Sequence, residues 1–155
     1  MLYPDGMTHA ERLAQSFLAH RTALTTLLSE IPEESATHAP WDGAMTFISL
    51  GDHLDASSRG ILAALGGQAP SRDVVPSQTL QEARMRLQDS GQQVTAALTA
   101  LSDEDFARVV PAFGGRQMPV SQLAELLTAH EAHHKGQMWL MARQVGVKPP
   151  FFMSM

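Results

Sequence analysis

The 155-residue sequence predicts an all-α protein folded as a four-helix bundle. Four segments carry apolar residues at helical spacing, and they are joined by short to moderate stretches rich in proline and glycine. The composition, 44% apolar and 17% charged, is that of an ordinary globular protein. From the length we expect one domain over residues 1–155, large enough to bury a single core.

The first two predicted helices have clear signals at both ends. Thr8 and Glu11 have the spacing of a capping box, which predicts a helix that begins at Thr8 and ends before Pro32. A loop follows, and the second helix runs from about residue 46 to residue 65, where Gly66 stops it.

The second half of the chain predicts two further long helices and a break between them. The third helix covers about residues 78–101, and Gly91 weakens its middle by roughly 1 kcal/mol relative to alanine. Residues 102–105 predict one short extra turn. The segment PAFGGRQMP, residues 111–119, predicts an extended or hairpin structure because its glycine pair breaks any helix.

The fourth long helix and the tail complete the chain. Pro119 suits the first turn of this helix, and Gly146 closes it. The tail VKPPFFMSM, residues 147–155, is not helical through its prolines. Its two phenylalanines and two methionines need cover, so we expect it to fold back over the bundle or to pack against a second copy.

Charge and composition exclude several classes of function. The net charge is −5, and no cluster of lysine and arginine provides the basic surface that a nucleic-acid-binding protein needs. The absence of cysteine excludes disulfides, thiolate metal sites and a cysteine nucleophile. The first residues lack the apolar core of a signal peptide, and no apolar run approaches the roughly 20 residues of a membrane span. We therefore expect a cytoplasmic protein with no membrane segment.

The segment HEAHHKGQ, residues 130–137, is the strongest functional signal. His130 and His134 are four residues apart, so on a helix they project from one face, here the apolar stripe of the fourth helix. Two imidazoles that face a core need partners, and one metal ion satisfies both. The alternative is that each histidine hydrogen-bonds a backbone carbonyl or lines a wet groove. For a pair at this spacing we favour the metal.

The same segment matches the H-E-x-x-H signature of zinc metalloproteases through His130, Glu131 and His134. Familiar proteases of this type take a third ligand from downstream, yet the 21 residues after His134 contain no Asp, Glu or His. The longer motif fails as well, since Gln137 and Leu140 stand where glycine and the third histidine belong. We interpret the match as accidental.

A third ligand is therefore expected from upstream. Four histidines lie there: His9, His20, His38 and His53. We choose His53, because a carboxylate from Asp52 or Asp55 beside it could hold the second ring nitrogen of a metal-bound imidazole. His20 lies on the apolar side of the first helix and is predicted to be a packed core residue or a pocket wall.

Three stretches carry a resemblance to a known family: SLGDHLDASSRGILAALGG, AFGGRQMPV and VSQLAELLTAHEAHHKGQMWLMARQVGVKPP. Together they resemble the DinB-like superfamily, which includes the YfiT-type metal-dependent hydrolases. The resemblance extends over most of the chain in layout. It is most specific around His53 and residues 130–137.

The resemblance implies a four-helix bundle, usually homodimeric, in which three histidines bind nickel or zinc. Carried over to this sequence, the ligands would be His53, His130 and His134. Glu131 and the neighbouring His133 would lie off the metal-facing side, and Gln137 would face the neighbourhood of the site.

Three protein nitrogens leave open positions on a bound ion, which is the pattern of a catalytic site. Such an ion activates water or binds a thiolate. Some members of the family resemble transferases that use a low-molecular-weight thiol such as bacillithiol or mycothiol. We therefore expect a metal-dependent hydrolase or a thiol S-transferase that acts on a small molecule, with the thiol as co-substrate in the second case. The alternatives are a non-enzymatic, metal-binding stress-response dimer with a structural ion, and a histidine-lined pocket without metal.

Overall fold

A computed structural model describes residues 3, 6–69, 71 and 75–153, and it confirms an all-α four-helix bundle. Residues 1, 2, 4, 5, 70, 72–74, 154 and 155 lie outside the description. The elements in chain order are α1 (His9–Glu30), α2 (Phe47–Leu65), α3 (Leu80–Thr99), α4 (Asp103–Ala107), β1 (Val109–Pro111), β2 (Gln117–Pro119) and α5 (Val120–Gln144). Helices α1, α2, α3 and α5 form the bundle, and no described helix combines the length and apolar character that crossing a membrane requires.

Side-chain caps set the starts of the first helices. The hydroxyls of Thr8, Thr46 and Thr79 each accept a hydrogen bond from the backbone N–H three residues later. A cap of this kind contributes about 1 kcal/mol. The predicted starts at Thr8 and Thr46 are confirmed. The third helix is shorter than predicted, Leu80–Thr99, because Thr79 acts as its cap and residues 100 and 101 leave the helix.

The predicted hairpin is present between α4 and α5. Strands β1 and β2 pair antiparallel, with Val110 opposite Met118. The connecting turn has Gly114 at φ 69° and Gly115 at φ 73°, the left-handed region that glycine adopts without strain. Pro119 is the last residue of β2 and precedes the helix by one position, so its predicted place in the first turn of the helix is wrong.

The order of the helices around the bundle does not follow the chain. Helix α1 packs against α3 and α5, and α2 packs against the same two helices. Consecutive helices α1 and α2 therefore lie on a diagonal, as do α3 and α5. The two diagonal links, residues 31–46 and 100–119, contain the short helix, the hairpin and the loops, and β1 packs on α2 while β2 packs on α5.

A layer of buried polar side chains divides the core into two apolar clusters. The guanidinium of Arg21 on α1 donates two hydrogen bonds to the carboxylate of Glu131 on α5, at 2.5 and 2.9 Å. It also donates to the hydroxyls of Ser58 on α2 and Ser90 on α3, at 2.8 and 3.3 Å. Each of the four long helices thus supplies one side chain to this layer, which we call the polar layer.

The described part of the tail folds back over the bundle. The ammonium of Lys135 on α5 donates a hydrogen bond to the carbonyl of Phe152, and its Nζ lies 5.2 Å from the centre of the Phe152 ring. Phe151 and Phe152 nevertheless remain largely exposed. The last two residues of the predicted tail lie outside the described residues.

Candidate metal centre

Three histidine side chains from two helices converge on one point. The Nε2 atom of His53 on α2 lies 3.0 Å from Nε2 of His130 and 3.1 Å from Nε2 of His134, both on α5. The Nε2 atoms of His130 and His134 are 3.1 Å apart. We call these residues the histidine triad. The structure thus brings together the three residues that the sequence predicted as ligands.

The dimensions of the histidine triad fit a transition-metal ion. Nitrogens separated by 3.0–3.1 Å lie on a circle of radius about 1.8 Å, which is smaller than the roughly 2.0–2.1 Å of a Zn–N bond. The three nitrogens are therefore close enough together for one such ion to be held by all of them. The set of imidazole donors suits zinc and nickel, and cysteine is absent from the chain.

Gln137 fixes the orientation of one member of the triad. Its Oε1 lies 2.7 Å from Nδ1 of His134, so an Nδ1–H of the imidazole donates to the amide oxygen. The lone pair is then on Nε2, the atom that faces the centre of the triad. This is the usual outer-sphere arrangement for a metal-bound histidine, and the position predicted for Gln137 is confirmed.

Burial favours the uncharged imidazole in two members of the triad, His53 and His130. It lowers the pKa of His130 to about 4, with further contributions from His134 and His53. Burial, followed by the neighbouring His134, also lowers the pKa of His53. Neutral imidazoles are the form in which histidine binds a metal. Near neutral pH both side chains therefore have lone pairs available.

The expectation that an aspartate holds the second nitrogen of His53 is wrong. The carboxylate of Asp52 accepts hydrogen bonds from the backbone N–H and the hydroxyl of Ser77, at 2.8 and 2.6 Å. The carboxylate of Asp55 accepts from Nε of Arg59 at 2.8 Å. Residues one and two positions from His53 on a helix point away from its face. Asp52 ties α2 to the segment before α3, whereas Asp55 pairs within α2.

Glu131 takes no part in the site, as its helical position predicted. Its side chain is 0% exposed, and both oxygens accept hydrogen bonds from Arg21. The glutamate of the H-E-x-x-H match therefore belongs to a structural ion pair. The neighbouring His133 is exposed, and its ring packs edge-on against that of His134 at 4.8 Å.

Sequence reasoning missed the partner of Glu131. Arg21 is 2% exposed and belongs to the buried side of α1. The available signal was an arginine four residues after Phe17 and three before Leu24, on the stripe that the periodicity had assigned to the core. A charge on such a stripe requires an opposite buried charge, and Glu131 on the stripe of α5 was the candidate.

The other histidines lie elsewhere. Nδ1 of His20 lies 2.9 Å from Nζ of Lys135, and burial lowers the pKa of this histidine. His20 is half-buried, which agrees with its predicted role as a packed residue. His9 packs against Phe106, and His38 contacts Gln144.

Cavities adjoin the histidine triad on two sides. On the side of the hairpin, a cavity of about 310 Å³ is lined by His53, Ser57, Phe113, Leu126, Leu127 and His130. A neighbouring cavity of about 360 Å³ shares His53, Ser57 and Phe113 with it. On the opposite side, a cavity of about 290 Å³ reaches His134 and Gln137, and the exposed Trp41 forms part of its wall. Each member of the triad thus lines at least one cavity.

The fold and the site together define a helical bundle with a candidate three-histidine metal centre. The chain belongs to the DinB superfamily, whose family model matches residues 16–138. Two proteins of Bacillus subtilis (strain 168) are similar in sequence. YjoA is 24% identical over 152 residues, which span 94% of this chain and 97% of YjoA. YrdA is 36% identical over 132 residues, which span 83% of this chain and 78% of YrdA.

Solved structures of DinB-like proteins share the fold. YjoA superposes with a TM-score of 0.77 over 92% of this chain and 98% of its own. A DinB-like protein from Bacillus cereus ATCC 10987 gives a TM-score of 0.76 at 23% identity, over 89% of this chain and 93% of its own. YfiT from Bacillus subtilis, described as a probable metal-dependent hydrolase with an unusual four-helix bundle topology, gives 0.71 at 15% identity, over 96% of this chain and 92% of its own. The predicted resemblance to DinB-like and YfiT-like proteins is confirmed.

Proposed function

We propose that this protein is a metal-dependent enzyme that acts on a small molecule, with His53, His130 and His134 as the ligands of a zinc or nickel ion. The observation that carries the proposal is the convergence of three Nε2 atoms within 3.1 Å of one another. One cation at that point would accept the lone pairs of all three nitrogens when each imidazole is neutral with its proton on Nδ1.

Two features favour catalysis over a purely structural ion. Three protein ligands leave coordination positions open, and cavities of 290–360 Å³ give access to them. When bound, the ion would supply Lewis acidity, activating water for hydrolysis or holding the thiolate of a low-molecular-weight thiol for S-transfer. The similarity to YfiT, described as a probable metal-dependent hydrolase, is consistent with the first chemistry.

The residues of the chain would have distinct tasks in this enzyme. The histidine triad holds the ion, and Gln137 keeps His134 in the tautomer that binds it. Glu131 cannot serve as a general base, because Arg21 occupies both of its oxygens. A proton acceptor must therefore come from the bound solvent, the substrate or another residue near the cavities.

The second candidate function is a non-enzymatic, metal-binding stress-response protein, homodimeric and cytoplasmic, in which the ion mainly stabilises the bundle. One observation favours it: the ligands come from α2 and α5, so an ion would cross-link two helices. The cavities beside the triad favour the enzyme.

The test compares the His134→Ala and His133→Ala variants. We expect His133→Ala to retain zinc or nickel, because His133 is exposed and lies outside the triad. We expect His134→Ala to lose more affinity than the roughly 10–100-fold that outer-sphere changes cause, because it removes a ligand. Elemental analysis and titration with each ion measure this difference. Equal metal content in both variants would contradict the proposed ligands.

Activity is then assayed on the metal-loaded protein. One set of reactions contains bacillithiol and an electrophile, and another contains a panel of small esters and amides. Turnover by the wild type and His133→Ala, but not by His134→Ala, supports the enzyme and identifies the reaction class. A loaded protein that is inactive in every reaction favours the structural ion.

A further inference from the structure

We propose that the cavity between the histidine triad and the hairpin binds an uncharged, apolar part of the substrate. This cavity, the hairpin-side cavity, is the 310 Å³ space lined by His53, Ser57, Phe113, Leu126, Leu127 and His130. The inference rests on the proposed function, because the reacting group of the same molecule would reach the ion held by His53 and His130.

Among the described residues, no aspartate, glutamate, lysine or arginine lines the hairpin-side cavity. Apart from the two histidines, its one polar lining residue among those described is Ser57. The Ser57 hydroxyl donates a hydrogen bond to the backbone carbonyl of His53 at 2.9 Å, so its proton already has an acceptor. An anionic or strongly hydrated group placed here would lose its water without gaining a partner. Apolar groups are favoured.

Two large side chains of the cavity are exposed although they are apolar. Leu126 on α5 is 42% exposed and Phe113 at the hairpin turn is 37% exposed. They approach the cavity from two separate elements, next to two of the predicted metal ligands. An apolar ligand between them removes their surfaces from water, which is the hydrophobic driving force for binding. The volume is at the lower end of the range for ligand pockets and suits a small molecule.

A second cavity lies next to the hairpin-side cavity and shares part of its lining. The 360 Å³ cavity shares His53, Ser57 and Phe113 with the hairpin-side cavity and extends along the hairpin past Pro111 and the glycine turn. The cavity on the opposite side of the triad is also lined mainly by apolar residues, but the amide of Gln137 forms part of its wall beside His134. We therefore assign the apolar part of the substrate to the side of the hairpin.

The test uses hydroxamates, whose polar head binds zinc, in a chain-length series from acetohydroxamate to hexanohydroxamate. Calorimetry measures their dissociation constants with the zinc-loaded protein. Each buried methylene contributes about 0.8 kcal/mol, so we expect affinity to rise about four-fold per added carbon until the cavity is filled. A hydroxamate of hexane length that ends in a carboxylate should bind more weakly than hexanohydroxamate.

A matched pair of variants tests in which cavity the alkyl chain of the hydroxamate binds. Leu126→Asp puts a carboxylate into the hairpin-side cavity, whereas Leu140→Asp puts one on the same helix beside the opposite cavity. Both leucines are exposed, at 42% and 53%. We expect the Leu126→Asp variant to bind acetohydroxamate but to show no rise in affinity with alkyl-chain length. We expect the Leu140→Asp variant to show the same rise in affinity as the wild type. Leu126→Ala, which should reduce the rise, replaces Leu126→Asp if the latter does not fold.

The outcomes separate this inference from the proposed function. The inference is overturned if acetohydroxamate binds but affinity does not rise along the series. It is also overturned if affinity rises and Leu140→Asp removes the rise whereas Leu126→Asp does not. Both results leave the metal centre intact. A protein that takes up neither zinc nor nickel, or whose bound zinc binds no hydroxamate, overturns the proposed function and the inference with it.

Discussion

The ion pair between Arg21 and Glu131 shows how one buried charge dictates another. The two side chains are 2% and 0% exposed and come from helices on neighbouring corners of the bundle. Glu131 directly follows His130 in sequence, so the pair also fixes the rotation of α5 that turns His130 and His134 toward His53. The ion pair therefore positions the histidine triad without belonging to it.

Removal of one member of the Arg21–Glu131 pair should therefore destabilise the folded protein. We expect Glu131→Ala to lower the free energy of unfolding of the metal-free protein by about 3–5 kcal/mol, because the Arg21 guanidinium is left buried without its counter-ion. The exposed Glu125 on the same helix is the control, and Glu125→Ala should change stability by less than about 0.5 kcal/mol. Urea denaturation in the presence of a chelator measures both.

The double variant Arg21→Met/Glu131→Leu completes this experiment. Replacing both charges with apolar groups avoids the unpaired charge, so we expect it to recover most of the lost stability. If Glu131→Ala is as stable as Glu125→Ala, the polar layer does not hold the helices together in the way described.

At the residue scale, spacing predicted the ligands but not what surrounds them. His130 and His134 share a face because they are four residues apart. His53 was chosen for its neighbouring aspartates, although their carboxylates bind other groups in the structure. The partners of Asp52 depend on which segments are neighbours and on side-chain rotamers. A single sequence contains neither piece of information.

At the scale of a helix, Gly91 illustrates the difference between propensity and packing. The sequence predicts that this glycine weakens α3. In the structure, a Cβ atom at this position would lie 2.9 Å from Cγ of Arg21, so the glycine makes room for the arginine of the polar layer. At Gly136, on α5, no atom of the described residues beyond its two chain neighbours and the local helix backbone lies within 4 Å of the corresponding position.

The two glycines give a paired prediction. We expect Gly136→Ala to stabilise the protein by up to about 1 kcal/mol, since alanine is the better helix former. We expect Gly91→Ala to destabilise it by about 1–3 kcal/mol, because the added methyl group displaces Arg21 from its partners. Thermal unfolding of the chelated variants measures both, and a stabilising Gly91→Ala would show that Arg21 moves aside without loss.

Helix ends were more predictable than helix arrangement. The capping residues Thr8 and Thr46, and Gly146 after α5, mark ends through hydrogen bonds and backbone angles within a few residues. The diagonal placement of α1 and α2 depends on contacts between distant segments. Link length gave no hint, because residues 66–79 connect the adjacent helices α2 and α3 with a link almost as long as residues 31–46.

For the whole molecule, the two apolar clusters and the polar layer form a core that is complete without an ion. Each cluster draws on all four long helices, and the polar layer joins the same four helices between them. The histidine triad lies to one side, between α2 and α5. A bound ion would add one cross-link to a bundle that already has its packing.

Metal removal tests this view of the molecule. We expect the chelated protein to remain folded and to unfold cooperatively, and zinc at about 100 times its dissociation constant to add about 2.7 kcal/mol of stability. For a chain of this size that corresponds to a rise in Tm of roughly 5–10 °C. His134→Ala should show no such rise, whereas His133→Ala should behave as the wild type. Loss of cooperative unfolding on chelation would instead mean that the ion holds the bundle together, which favours the structural alternative over the enzyme.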